Sequence, residues 1–444
     1  MPGGLLQLIN KGDMDEYITG NPQISLFRSV YRRTTNFTII TTKQSVEVDV
    51  GFGKRRKFKL SRDGDLLSKI YINLTNNNPH YFPSNFGHYI FKYIECLVGG
   101  SMVDRIYGHY MEVWSRLTEQ NLNRNPYSMT NYMIPNKNIV TDLLNNISDF
   151  NKYQQLTCAC GVTGTKKDKK ILGQIQIPIP FWFCRNTGLA LPLIALQYDV
   201  VELIIEFQDK KFLPPDLNLE EFNFELYCDY ILLDTEERRR FAQITHEYLI
   251  EQVQLNEFDL TIGTVNLPLK FYHPVKELIF ALNWNELLDT SSDINDSYYQ
   301  IGTIPSIGVD PKLTFEINGN EIFYTDKHFN FFSRREIWEK HTGIGNIYGE
   351  YDNSTISTNC EGFINYADVY NSEQQKIGDS IFVHSFAFKP EEHQPTGTVN
   401  FSALGDVSIK LKNLKIKQQY LRVYARNYNI LRIMSGMGKV LYVN

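Results

Sequence analysis

No apolar run among the 444 residues approaches the roughly 20 needed to cross a bilayer, so nothing reads as a membrane-spanning helix. The opening MPGGLLQLINKGDMDEY reaches a lysine at its eleventh position and has no long apolar core, which predicts a chain made without a secretory leader. Cysteine is sparse, with six scattered residues of which only Cys158 and Cys160 lie close together. That spacing writes neither a disulfide framework nor a four-ligand zinc site, and it predicts a reduced, soluble protein made in the cytosol. A strong charge of one sign is also missing. A net charge of −5 gives no overall pull toward nucleic acid. Basic runs occur at Gly53 to Lys57, Lys166 to Lys170 and Glu237 to Arg240, without the interleaved aromatics of a single-strand groove. They read as salt-bridged or solvated surface, and no direct nucleic-acid contact is expected.

Catalytic signatures fail one by one. His246-Glu247 would open a zinc-binding H-E-x-x-H helix, but position 250 is Ile, so the second ligand is absent. Gly343 to Gly349 (GIGNIYG) misses the spacing of a dinucleotide-binding turn and follows no strand. Gly51-Phe52-Gly53-Lys54 lacks the upstream glycine of a phosphate loop. No G-x-S-x-G occurs, and no two of the nine histidines lie within seven residues of one another, as a metal-binding barrel would want. A Ser–His–Asp set assembles only in space and leaves no spacing to read. No catalytic, cofactor-binding or metal-ligating residue is therefore assigned, and no cofactor is expected.

What the chain has in abundance is strand pattern. With 27 Tyr, 28 Phe and 42% hydrophobic residues it holds ample material for sheets and a core. Period-2 stretches recur at 37–50, 66–74, 174–183, 200–207, 224–233, 247–255, 275–282, 312–317, 380–388, 406–416 and 420–433, punctuated by Gly, Pro, Asn and Asp. That predicts an all-β sandwich or barrel. Helical pattern is short and rare, at 109–121, 234–243 and 331–341.

The order of these features repeats. Val98-Gly99-Gly100 is matched 219 residues on by Ile317-Asn318-Gly319, each suited to a two-residue hairpin turn. At the same shift His109-Tyr110 meets His328-Phe329 and Arg116 meets Arg335, while Asp199-Val200 finds Asp406-Val407 at a shift of 207. One β module used twice is the reading, with a seam in DTEERRRFAQ at 234–243.

One stretch raises the question of an active site most directly: PEEHQPTGTVNFS, Pro390 to Ser402, packs two carboxylates, a histidine, an asparagine and a serine between hydrophobic runs. It resembles a hallmark segment of the major capsid proteins of nucleocytoplasmic large DNA viruses, the algal and giant-virus type. So do residues 3–37, 191–203 (LPLIALQYDVVEL), 229–254, 271–282 (FYHPVKELIFAL) and 427–444, in order along the whole chain. Residues 120–170 and 284–380 depart from that pattern.

The resemblance implies a double jelly roll, two eight-stranded sandwiches in one chain with a few short helices in loops. It implies residues 1–26 as an amino-terminal arm on the inner face of a capsomer, 27–234 as the first jelly roll, 235–245 as a linker and 246–444 as the second. Three chains would form a pseudo-hexameric capsomer and tile an icosahedral shell, assembled in the host cytoplasm around an internal membrane that is touched only indirectly. Minor capsid proteins would dock on residues 1–26, whose Leu5, Leu6, Leu8, Ile9, Tyr17, Ile18, Ile24 and Leu26 are too apolar for a disordered tail. Glu391, Glu392 and His393 then become loop and interface groups. Six N-x-S/T sequons occur, at Asn36, Asn73, Asn146, Asn295, Asn353 and Asn400, and Asn295 and Asn353, in long polar loops, are the glycan candidates. The competing readings are a same-fold scaffold or minor capsomer protein and, more remotely, a β-sandwich glycan-processing enzyme or lectin.

Overall fold

In a computed structural model the described residues are 4, 7–8, 10–29, 31–44, 51, 53–76, 86–120, 151–160, 174–210, 222–261, 263–284, 304–305, 312–321, 327–328, 331–343, 345, 377–378, 380–414 and 419–443. Met1–Phe37 form a unit of their own. Among its described residues, helix α1 (Asp13–Thr19) is opened by the Gly12 amide donating to Asp15 Oδ2 (3.0 Å) and closed by the Gly20 amide on Glu16 O (2.7 Å). Asp13, Asp15 and Glu16 sit in its first turn, where they complement the helix dipole.

The second unit, Thr38–Asn444, is built from two copies of one strand order. The first copy comprises β1 (Phe37–Gln44), β2 (Arg55–Lys59), β3 (Leu66–Asn76), β4 (Phe91–Val98), β5 (Ser101–Tyr107), β6 (Gln174–Pro178), β7 (Val201–Phe207) and β8 (Phe222–Leu233). They make one antiparallel sheet in the order β1-β8-β3-β6 and a second in the order β2-β7-β4-β5. The second copy comprises β9 (His246–Leu260), β10 (Gly263–Leu269), β11 (Pro274–Trp284), β12 (Lys312–Ile317), β13 (Asn320–Glu321), β14 (Ile381–Ser385), β15 (Val407–Leu414) and β16 (Gln419–Met434). Its sheets run β9-β16-β11-β14 and β10-β15-β12-β13, so each of these eight strands of the first copy has its counterpart eight strands later. Two-residue strands at Leu191–Pro192 on β3 and Val399–Asn400 on β11 also correspond. This is the double jelly roll. A last strand, β17 (Met437–Val440), folds back on β16.

The repeat expected at the hairpins is realised in the backbone. Gly99 and Gly100 turn between β4 and β5 with φ of 59° and 79°, and Asn318 and Gly319 turn between β12 and β13 with φ of 52° and 77°. Two consecutive left-handed residues are the requirement of the two-residue turn that matches strand twist. Around the helices the side chains do not repeat: Arg116 is buried against Glu112, whereas Arg335 is exposed and pairs with Glu339.

Helices are short, and each occupies a connection: α2 (Phe86–Tyr89), α3 (Gly108–Thr118), α4 (Lys152–Thr157), α5 (Trp182–Arg185), α6 (Thr235–Gln243) and α7 (Glu336–Lys340), the last preceded by a π-turn at Phe331–Arg335. Helix α6 lies between β8 and β9. Asp234 caps it by accepting from the Thr235 amide (2.6 Å).

Aromatic pairs tie the facing sheets of each roll. Phe58 of β2 stacks on Phe224 of β8 at 5.6 Å, and in the second roll Phe315 of β12 meets Phe401 edge-on at 6.4 Å. The sheet β9-β16-β11-β14 is covered on both faces. Along β11, Leu278, Phe280 and Leu282 enter the second roll's own core, while Ile279 and Ala281 join an apolar cluster continuous with the first roll. Along β16, Val423 and Ala425 face inward and Tyr424, Leu431 and Ile433 face the first roll. This second buried face positions the site described next.

Candidate functional site

Where the two rolls meet, charged side chains lie in the interior. Glu251 comes from β9, Lys276 and Glu277 from β11, Arg426 from β16, Arg185 from α5 and His341 from the end of α7. All but Arg185 are buried. Adjacent residues of a regular strand point to opposite faces, yet Lys276 and Glu277 both belong to this cluster. A break in the β11–β16 register between Val275 and Glu277 makes Lys276 the extra residue of a bulge, which re-aims it.

Arg426 is the centre. One guanidinium nitrogen contacts Glu277 Oε1, and the other binds Glu251 Oε2 at 2.6 Å. The guanidinium lies 3.9 Å over the Trp114 ring of α3. Lys276 Nζ reaches Glu251 Oε1 at 2.5 Å, and Arg185 reaches Glu251 Oε2 at 2.7 Å while sitting 5.4 Å from the same indole. His341 has its Nε2 3.2 Å from Glu277 Oε2, an ion pair without hydrogen-bond alignment, and its Nδ1 3.1 Å from Glu391 Oε1.

The electrostatics follow from these partners. Burial alone would raise the Glu277 pKa, but Arg426 and His341 outweigh it and bring the group down to about 2. For Glu251, burial is likewise overcome, by Arg185, Arg426 and Lys276. Burial and the neighbouring Arg426 bring Lys276 down to about 8 despite its carboxylate partner. Burial opposes the charge on His341 and Arg426, yet their carboxylates raise both.

The segment 390–393 lies over this hub and uses its backbone to do so. Pro390 O accepts from Arg426 (3.2 Å), Glu392 O from Lys276 (3.3 Å) and His393 O from the Tyr428 hydroxyl (3.4 Å). The Glu391 carboxylate accepts from the Thr342 amide (2.9 Å), and Glu392 pairs with Lys389. Further on, Asn400 accepts from the Ser402 amide and Ser402 Oγ from the His273 amide. Glu391, Glu392, Asn400 and Ser402 thus each make a separate local contact, and His393 contributes its carbonyl.

Two glycines of GIGNIYG have a similar fate, and the third, Gly349, lies outside the described residues. The Gly343 amide donates to Leu117 O (2.7 Å) and the Gly345 amide to Arg116 O (2.9 Å), so the second roll satisfies carbonyls at the open end of α3. A Cβ on Gly343 would lie 2.4 Å from Arg116 O. Other contacts complete the seam: His109 Nδ1 meets the Tyr424 hydroxyl (3.0 Å), the Gly438 amide donates to Asp199 Oδ2 (2.8 Å), and the Val253 amide of β9 donates to Asp104 Oδ1 of β5 (3.3 Å). Burial raises the Asp104 carboxyl to about 7, against the pull of the Val253 and Arg105 amides.

A second buried knot lies within the first roll. His88, Glu112 and Cys160 bring their ligand atoms within 4.8 Å of one another. Both Glu112 oxygens are engaged: Oε2 accepts from His88 Nδ1 (2.8 Å) and the Cys160 amide (3.2 Å), Oε1 from Arg116 (2.8 Å). Burial holds the Cys160 thiol well above its ordinary pKa, away from the thiolate a metal would need. The geometry is that of a hydrogen-bonded tie between α2, α3 and residue 160.

The basic runs among the described residues are surface. Arg55 pairs with Glu95, Lys57 with Glu202 and Arg238 with Asp65, and Lys166 to Lys170 lie outside the described residues. His246 packs on Phe241 and meets its carbonyl at 2.7 Å. Asn295 and Asn353, the glycan candidates, lie outside the described residues, as does Asn146. Asn73 is buried in β3, while Asn36 and Asn400 are exposed. Sequence reasoning missed the hub. The available signal was charge inside apolar strands, Lys276-Glu277 in VKELIFAL and Arg426 in YLRVYARNY.

Two family models divide the chain: "major capsid protein N-terminus" matches residues 25–234, and "large eukaryotic DNA virus major capsid protein" matches 237–439. The chain is 35% identical to the major capsid protein of Pyramimonas orientalis virus over 450 residues and 30% identical to that of Paramecium bursaria Chlorella virus 1 over 488, with each chain covered completely. Among solved structures, a quasi-atomic model of the latter virus's capsid matches with a TM-score of 0.69 at 24% identity, over 95% of this chain and 100% of that one. The Faustovirus major capsid protein matches with a TM-score of 0.61 at 11% identity, over 96% and 94%. With its two jelly rolls and a full-length likeness of this kind, the chain belongs to the major capsid proteins of large eukaryotic DNA viruses.

Proposed function

We propose that this major capsid protein works as a homotrimer, three chains side by side forming a pseudo-hexameric capsomer that packs against neighbouring capsomers in an icosahedral shell. The carrying observation is the duplicated strand order: two rolls of one topology in each chain give three chains six similar wedges. Native mass measurement of the purified protein tests it. A species at three times the 51.7 kDa chain mass is expected, and a monomer at working concentration would reject the reading.

Residues 1–26 form the arm that docks minor capsid proteins beneath the shell. Tyr17, Ile18, Ile24 and Leu26 are exposed there, which suits a segment that buries its apolar side chains on a partner. In this reading the first roll extends from residue 27 to 234, residues 235–245 link it to the second roll at 246–444, and assembly takes place in the host cytoplasm. The role is structural. It requires no catalytic residue, metal, cofactor or direct nucleic-acid contact, the internal membrane is reached only through other proteins, and any glycans sit on Asn295 and Asn353.

A further inference from the structure

We propose that the seam between the two rolls is a proton-dependent clasp: His341, as an imidazolium held between Glu277 and Glu391, keeps Thr342, Gly343 and Gly345 on the end of helix α3, and its deprotonation as the pH rises releases them. This goes beyond the capsomer reading and holds for a monomer as well as a trimer.

The geometry requires the charge. His341 has no exposed side-chain surface, and each ring nitrogen faces a carboxylate oxygen, at 3.2 Å and 3.1 Å. An ionised carboxylate offers only lone pairs, so a neutral ring would set its own lone pair against one of the two. Both contacts are attractive only when both nitrogens carry hydrogen.

The surroundings are mixed. From β11 come Glu277 and Lys276, from β16 Arg426, from β9 Glu251, and from α5 Arg185. From α3 comes the uncharged Trp114, edge-on at 6.3 Å. The three cations oppose a further positive charge, but Glu277 and Glu391 touch the ring directly. The outcome is a pKa above the ordinary 6.5. Stability from such a group is fully present below the unfolded value and is lost as pH climbs through the folded one.

What the clasp secures is specific. Glu391 Oε1 accepts from both His341 Nδ1 and the Thr342 amide, and the next residues carry the Gly343 and Gly345 amides that close α3. A neutral ring would loosen Glu391 and unseat the cap behind it.

Hydrogen exchange read by mass spectrometry on the full-length protein tests this, using peptides covering 341–345 between about pH 6 and about pH 9 and correcting for the intrinsic rate. Protection of that segment should fall by up to about tenfold per pH unit from the ordinary 6.5 to the folded pKa and level off above it. In His341→Gln, which cannot charge, protection should be low and flat across the range. Lys276 titrates in the same window but contacts Glu392 rather than 341–345, so its effect appears in a different peptide. Glu391→Gln, at a partly exposed position, serves if His341→Gln does not fold, and it should move the loss of protection to lower pH. Constant wild-type protection, a wild-type profile in His341→Gln, or an unmoved midpoint in Glu391→Gln would each overturn the proposal.

Discussion

Strands β8 and β16 hold the same place in their two rolls, second in the sheet beside β1 and β9, but they bury different amounts of themselves. Along β8 buried positions alternate with half-exposed or exposed ones as far as Tyr230, leaving Asn223, Glu225, Tyr227 and Asp229 toward solvent. Along β16 nine consecutive residues, Leu421 to Asn429, are buried. One copy of the module keeps the half-wet strand of an antiparallel sandwich, and the other turns its polar side against a neighbour. Charge is present on both outer faces. On β8 it is solvated, and on β16 it must find partners, which is why Arg426 collects two carboxylates and an indole ring.

The sharpest test of that contrast is Arg426→Ala. Removing one member of a buried ionic cluster leaves Glu251 and Glu277 short of a partner, at a cost of about 3–5 kcal/mol. Denaturant unfolding should show a loss of that size, and one below about 1 kcal/mol would mean the hub is hydrated.

A smaller effect is expected at Asp104, whose folded-state pKa of about 7 lies above its ordinary 3.8. The folded protein holds a proton that the unfolded chain has already lost, so wild-type stability should decline between about pH 4 and about pH 7. Relative to Asp104→Asn the decline should be about 1 kcal/mol per pH unit, read from melting curves across that window. Parallel curves for the two proteins would contradict this account of the β5–β9 contact.

Smallest of all should be Glu225→Gln on β8, which loses the salt bridge to the largely exposed Lys43 while keeping an acceptor for Asn73 and the Tyr227 hydroxyl. About 1 kcal/mol or less is expected, shrinking further in high salt. A loss matching that of Arg426→Ala would erase the distinction between the two strands.

Much of the fold is legible in the residues themselves. The three helical stretches correspond to α3, α6 and the π-turn with α7, and the glycine and asparagine turns at 99–100 and 318–319 are where strand twist demands left-handed backbone. The hub is not legible, for two physical reasons. Alternating charge in YLRVYARNY is the ordinary signature of a solvent face, and only the packing of one roll on the other turns that face inward. The bulge at Lys276 then breaks the period-2 rule at the position where two adjacent charges share a site. Gly343 and Gly345 carried a signal of close backbone approach, but the approach is to a helix end rather than to a phosphate.

The capping of α3 also has a consequence in time. Thr118, the helix's last residue, leaves the ribosome long before Gly343 and Gly345 are made. At about 5–20 residues per second the wait is on the order of 10–45 s. During that interval the carbonyls of Arg116 and Leu117 have only water or a transient partner, and the face of α3 that will meet Tyr424 and Arg426 is uncovered. A newly made first roll therefore keeps that face uncovered until its sequel arrives, and slower translation between the two halves would lengthen the exposure without altering a single contact in the finished fold.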